Sequence, residues 1–162
     1  MIERHVLELR YFHFQRANEI RERKNYNTIC LIHFQLQNGN TIPVLHRSYY
    51  LESLPNGSIW LSLCTYTPYI ETPTLTSGQI VNNKNGKVVQ QKEYQLYDNL
   101  LLSPREKEVL TLLAKGHSSK QIADILNIST NTVYRHRQNI LSALQVSNTA
   151  AAIQVGFRLN II

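Results

Sequence analysis

Asn131, Arg135, Gln138 and Ser142 recur at three- and four-residue spacing, with Tyr134 and Asn139 flanking them. The stretch that holds them, Thr130–Gln145, has two arginines and no Asp or Glu. At helical spacing these residues share one face. Such a face offers a guanidinium suited to guanine, an amide that can bond adenine in bidentate fashion, and an aromatic hydroxyl. Val133, His136, Ile140 and Leu144 gather on the opposite side, with Arg137 and Leu141 at its border, as a core stripe does. Most polar helix faces are merely solvated. The surplus of base over acid is what tilts this one toward nucleic acid.

The other reactive residue types lack the patterns that chemistry needs. Cys30 and Cys64 are too few for a disulfide scaffold, and no basic cluster beside either argues for a thiolate. His33 and His46 flank one turn and are expected to meet across a hairpin. Two imidazoles without Cys or carboxylate partners make a poor metal site, so cross-strand packing is the expectation. His5, His13 and His117 have no partner spacing, and His136 is expected to close a core. The nine tyrosines and Trp60 read as strand formers rather than pocket lining. There is no Walker loop, GxSxG elbow, HExxH or paired-carboxylate pattern. No catalytic residue, metal ligand set or cofactor is assigned, and an enzyme is not expected.

The chain has 162 residues, 43% hydrophobic and 17% charged, with a formal charge of +6 and a pI near 9.4. That composition builds a core and excludes wholesale disorder. No apolar run approaches the ~18 residues of a membrane span, and Met1-Ile2-Glu3-Arg4-His5 is no signal peptide. A cytoplasmic protein without membrane contact is expected. Residues 101–162 carry seven Lys or Arg against three acids, and residues 1–100 carry ten against eight. The excess charge therefore sits in the last third, as a nucleic-acid footprint would.

Periodicity divides the chain into an α+β fold. Residues 1–24 read as one helix, with Arg21-Glu22-Arg23-Lys24 as its solvated last turn. The period then drops to two. Cys30, Ile32, Phe34 and Leu36 share a strand face, Asn38-Gly39-Asn40 turns the chain, and a second strand runs from Thr41 to about Glu52. Pro43 inside it suggests an edge or a bulge. Pro55-Asn56-Gly57 turns again, and Ile59, Leu61 and Leu63 alternate with Trp60, Ser62 and Cys64 in a third strand. Residues 65–78 are Thr/Pro-rich and read as connection. Gln79–Asn82 and Lys87–Gln91 predict a short second hairpin that must lean on a neighbour.

From Leu101 helices take over. Ser103-Pro104-Arg105-Glu106 is a capping box with Pro at the first helical position. Gly116 ends that helix, and Ser118 or Ser119 caps a shorter one. Asn127-Ile128-Ser129 is a tight turn in which Asn takes the left-handed conformation and Ser129 caps Thr130–Gln145. A last helix opens at Ser147-Asn148. Two short helices about a tight turn, the second basic, describe a helix-turn-helix. The expected divisions are 1–66, a connection with hairpin over 67–100, and 101–162.

Leu102-Ser103-Pro104-Arg105-Glu106-Lys107-Glu108-Val109-Leu110, then Ser119-Lys120-Gln121-Ile122-Ala123, Ile128-Ser129, Thr132-Val133 and His136-Arg137 resemble the LuxR-type (GerE-type) DNA-binding domain. The resemblance covers the last third of the chain and four helices in order. It implies double-stranded DNA as partner and a homodimer on DNA. Tyr134, Arg135 and Gln138 match its base-reading positions, and Lys120, Thr132 and Arg137 its phosphate positions. The last helix matches its dimerisation element, here Ala151, Ala152 and Val155. Tyr134 stands where Lys is frequent in that family, and Asn127 where Gly is usual.

Such domains often follow a phosphoacceptor receiver, but residues 1–100 contain a single Asp, Asp98. A helix followed by three antiparallel strands is similar instead to the second half of a PAS sensor domain, with Asn56–Leu61 resembling the turn into its last strand. A complete PAS domain begins with two further strands. The resemblance therefore implies the C-terminal portion of a longer PAS–LuxR regulator, with a small-molecule or protein signal at the PAS-like part. Residues 1–66 are then expected to associate or to remain loosely ordered, with Ile32, Phe34 and Leu36 uncovered. A protein-interaction module, or a sensor with the helical end as output lever, are the alternatives.

Overall fold

The computed structural model describes residues 2–69 and 78–162, which divide into a sheet unit, residues 3–94, and a helical unit, residues 95–162. The class is α+β, as the periodicity predicts. Among the described residues no helix is long and apolar enough to cross a membrane.

In the sheet unit, α1 (Ile2–Ala17) buries Val6, Leu7, Leu9, Tyr11 and Phe14. The expected single helix over 1–24 stops early, and a one-turn helix, α2 (Ile20–Arg23), follows. Asn18 ends α1 by donating its Nδ2 to Phe14 O at 2.8 Å. Arg23 then folds back. Its Nε donates to Asn18 O, Nη2 to Arg16 O, and Nη1 to Ser53 Oγ and to Gly57 O at 2.6 Å. The charged run is therefore not wholly solvated: Arg23 is buried, using last-turn carbonyls and a distant hairpin as acceptors.

Four strands follow: β1 (Tyr26–Gln35), β2 (Thr41–Ser53), β3 (Ile59–Pro68) and β4 (Gln79–Asn82), in the antiparallel order β3-β2-β1-β4. Gly39 and Gly57 supply the positive φ of the two tight turns. β3 continues to Pro68, past the Thr/Pro-rich point at which a connection was expected; the rest of that connection, residues 70–77, lies outside the described residues. Pro43 is inside β2, but there the β2–β3 ladder is ending: Val44 opposes Pro68, and Pro43 O accepts the N–H of Tyr69. Its missing donor falls where an edge begins. β4 leans on β1, and the expected return strand is a single bridge, Val81 to Val88. A short helix α3 (Gln91–Gln95) replaces the end of that strand, burying Tyr94. The register puts Cys30, not His33, opposite His46; His33 opposes Pro43.

The helical unit has a 3-10 turn (Asp98–Leu100) and then α4 (Pro104–Ala114), α5 (Ser119–Leu126), α6 (Thr130–Ala143) and α7 (Thr149–Arg158). Each of the four helices begins at a side-chain cap. Ser103 with Glu106, and Ser118 with Gln121, form reciprocal capping boxes. Ser129 accepts from Thr132 N, and Asn148 from Ala151 N. Asn127 closes α5 in the left-handed conformation, φ 52°. Val109, Leu110, Ile122, Val133, Ile140, Leu144, Ala152, Val155 and Leu159 are buried as its core. Gly156 lets α7 come close to α4: a Cβ there would sit 3.0 Å from Leu110 Cδ2.

Candidate nucleic-acid interface

The core decides which side of α6 faces out. Val133, Ile140 and Leu144 are buried, so the positions between them are turned to solvent. Asn131, Tyr134, Arg135, Gln138 and Asn139 are all exposed. Tyr134 keeps 53% of its surface accessible although it is a large aromatic. The three residues assigned to base reading thus stand on one open, acid-free helix face, carrying donors and acceptors rather than apolar groups. His136 is half-buried on the core side, as expected, with a buried Nδ1 that has no partner.

The turn before α6 is set by local chemistry. Asn127 takes the left-handed bend, and Ser129 then caps α6 with its Oγ 3.1 Å from Thr132 N. The Thr132 hydroxyl lies 2.8 Å from that same Oγ, so Thr132 is partly engaged in the cap. Lys120 is exposed in the first turn of α5, beside buried Ser119.

Arg137 does something the sequence pattern conceals. Its Nη1 donates to Ser119 Oγ at 2.7 Å and its Nη2 to Thr149 Oγ1 at 3.0 Å. One guanidinium therefore ties the start of α5, the middle of α6 and the start of α7. This is a fixed fork holding three helices, a role suited to Arg more than to Lys. Among these residues only a helix-border position at 137 was legible; its acceptors lie 18 and 12 residues away.

The dimerisation residues need correction. Ala152 and Val155 are each 1% exposed and belong to the unit's own core; only Ala151 of the three reaches the surface. The spacing 152, 155, 156, 159 is that of a buried stripe, which was the available signal. The outward side of α7 carries Ala150, Gln154 and Phe157, with Phe157 57% exposed.

Glu106 has its carboxyl lowered. Burial opposes this, but hydrogen bonds from Ser103 backbone and side chain and from Asn139, with the nearby His136, outweigh it. In the sheet unit Cys30 is pushed up to about 11, chiefly by burial, and so is a thiol at neutral pH. Its Sγ lies 3.6 Å from His46 Nδ1, and burial pushes that imidazole down toward the neutral form. Cys64, by contrast, is exposed. Among the described residues no three His, Cys, Asp or Glu side chains converge as a metal site.

Residues 100–155 match the family described as bacterial regulatory proteins, luxR family. Response regulator protein VraR of Staphylococcus aureus and that of Staphylococcus epidermidis are each 41% identical to this chain over 71 residues. That stretch is 44% of this chain and 33% of each relative, so the chain spans a third of the length of the curated relatives it matches. Among solved structures, the Vibrio cholerae VqmA dimer, described as a LuxR-type receptor, covers 85% of this chain and 56% of its own, at 16% identity and a TM-score of 0.37. A phage VqmA bound to DPO covers 93% and 61%, at 18% identity and a TM-score of 0.36.

Proposed function

We propose that the protein, whose residues 100–155 match the luxR family of bacterial regulatory proteins, binds double-stranded DNA in the cytoplasm and regulates transcription. α6 enters the major groove. Tyr134, Arg135 and Gln138 read base edges, while Lys120, Thr132 and the remaining donors of Arg137 hold phosphates. The observation that carries this reading is the outward face of α6, which is open, acid-free and polar although the helix is otherwise committed to the core.

A single such unit touches few base pairs, so two copies act on half-sites about one DNA turn apart. Ala151, with Ala150 and Phe157, provides the surface through which α7 meets its mate. The sheet unit, PAS-like in its helix-then-strands order, senses a small-molecule or protein signal or supports dimerisation.

Binding to fluorescent duplexes across a salt series tests the proposal. Lys120→Ala should weaken all duplexes similarly and flatten the slope of log affinity against log salt by about one unit. Arg135→Ala or Gln138→Ala should cost ~1–3 kcal/mol on the preferred site and little on random DNA. Affinity without salt dependence, or equal losses on specific and random duplexes, overturns it.

A further inference from the structure

The sheet has two unlike edges. β4 is four residues long, and the chain folds back over it: Asn82 N donates to Lys87 O and Val89 N to Ile80 O, both at 2.8 Å. The other edge is β3, ten residues long and, among the described residues, paired on one side only. Leu61, Leu63, Tyr66 and Trp60 on it are 44–67% exposed. No Asp, Glu, Lys or Arg occurs from Ser53 to Ile70.

Natural edge strands are blunted by charge, proline, bulges or short length. β3 has such devices only at its ends. The β2–β3 register skips Trp60, since Ser53 opposes Ile59 and Glu52 opposes Leu61. Pro68 closes the other end. Between them Leu61–Thr67 is uncharged, open and without an extra residue of its own, the other register shift, between Tyr50 and Glu52, placing its extra residue, Leu51, on β2.

We propose that this edge pairs with the same edge of a second copy, antiparallel, about a two-fold axis passing through Cys64. A two-fold normal to the sheet keeps α1 of both copies on one side. Opposed residues must then point to the same face, so they are an even number of positions apart and the axis falls on a residue. Cys64 is the midpoint of Leu61–Thr67, and Trp60 and Pro68 stand at equal separation from it. The irregularity of one copy therefore meets the proline of the other, and the ladder ends at the same place in both. Leu61 opposes Thr67, Ser62 opposes Tyr66, Leu63 opposes Thr65, and Cys64 opposes its own mate. A strand from an unrelated protein would have no reason to share these two stops. Self-pairing also brings no like charges together, and because the β4 edge is covered the assembly closes at two copies. The inference does not rest on DNA binding.

Mild oxidation of the full-length chain, read on non-reducing gels, tests it directly. Cys30 is buried, so the expected product is a Cys64–Cys64 dimer that Cys64→Ser abolishes. Ser62→Cys in the Cys64→Ser background puts the new thiol ~14 Å along the strand from its mate, and should cross-link about tenfold less. Sedimentation should give a dimer for the wild type and a monomer for Leu63→Lys or Thr65→Lys, each with an unchanged far-ultraviolet spectrum. A monomeric wild type, equal cross-linking at positions 62 and 64, or both lysine variants remaining dimeric overturns the proposal.

Discussion

The two units of this chain solve the same accounting problem differently. In the helical unit each helix from α4 onward starts at a side chain that satisfies the first free N–H groups, and the only buried polar side-chain atom without a partner among its described residues is His136 Nδ1. In the sheet unit Gln15 Oε1, Asn27 Oδ1, Thr28 Oγ1 and His46 Nε2 are buried and unpartnered. Both units keep large apolar side chains outside, Trp60 at 67% exposed in the sheet unit and Leu100 at 75% in the helical one, so the difference lies in the buried polar atoms. One unit has closed its own interior and turned a polar face outward. The other leaves four buried polar atoms unmatched, each at the cost of a hydrogen bond not made.

The sharpest way to break this contrast is at Ala152. Because it is 1% exposed against a tightly approached α4, Ala152→Arg introduces both excess volume and a buried charge without a counter-ion. Such changes cost upwards of ~4 kcal/mol, enough to leave a marginal unit unfolded. Thermal melts followed by circular dichroism should lose the helical transition, and binding to every duplex should vanish with it. Ala151→Arg, one position along, should fold normally. A folded Ala152→Arg would show that the helical interior is looser than its burial implies.

The second largest effect is expected in the sheet unit. Among the described residues Arg23 is buried on four neutral acceptors, from Arg16, Asn18, Ser53 and Gly57. Arg23→Met keeps much of the side-chain volume but strands those acceptors. Unsatisfied buried groups and a lost network predict a loss of ~2–4 kcal/mol. In urea the sheet signal should move to lower midpoint while the helical signal stays in place. Coincident shifts of both signals would mean that the two units unfold as one.

These residues also mark where the sequence was readable. The caps at Ser103, Ser118, Ser129 and Asn148 act over three residues, so pattern alone finds them, and with them the open face of α6. The strand pattern and turns at Gly39 and Gly57 were legible for the same reason. What was not legible depends on partners far along the chain. α1 ends at Ala17 because Arg23 and Asn18 draw off its carbonyls, and the Arg23 acceptors at residues 53 and 57 give no local sign. Likewise Ala151 and Ala152 are chemically identical. Only the position of α4, made close by Gly156, decides which is core. Within the candidate interface the exposed trio was readable and the three-helix tie at Arg137 was not.

The smallest predicted effect compares two helices inside one unit. α4 and α5 begin with the same reciprocal box, but its third residue is Glu106 in one and Gln121 in the other. Only the first can titrate. Ser103 donates to Glu106 Oε2 from its N at 2.9 Å, and its hydroxyl lies 2.8 Å from that oxygen. Burial works against the charge, yet these bonds, Asn139 and His136 hold the carboxyl below its usual range. A carboxyl depressed by folding stabilises fully above its unfolded pKa, and that stabilisation is lost as pH falls through the folded value. Acidification below the ordinary carboxylate range should therefore lower the melting temperature of the helical unit in part through Glu106. Glu106→Gln makes α4 start as α5 does, keeping the box but removing the charge near the helix N-terminus. Its cost at neutral pH should be ~0.3–1 kcal/mol, and its melting temperature should fall less steeply with acid than that of the wild type. Parallel acid profiles for the two proteins would show that the Ser103–Glu106 box stabilises α4 by geometry alone, with no share from the charge.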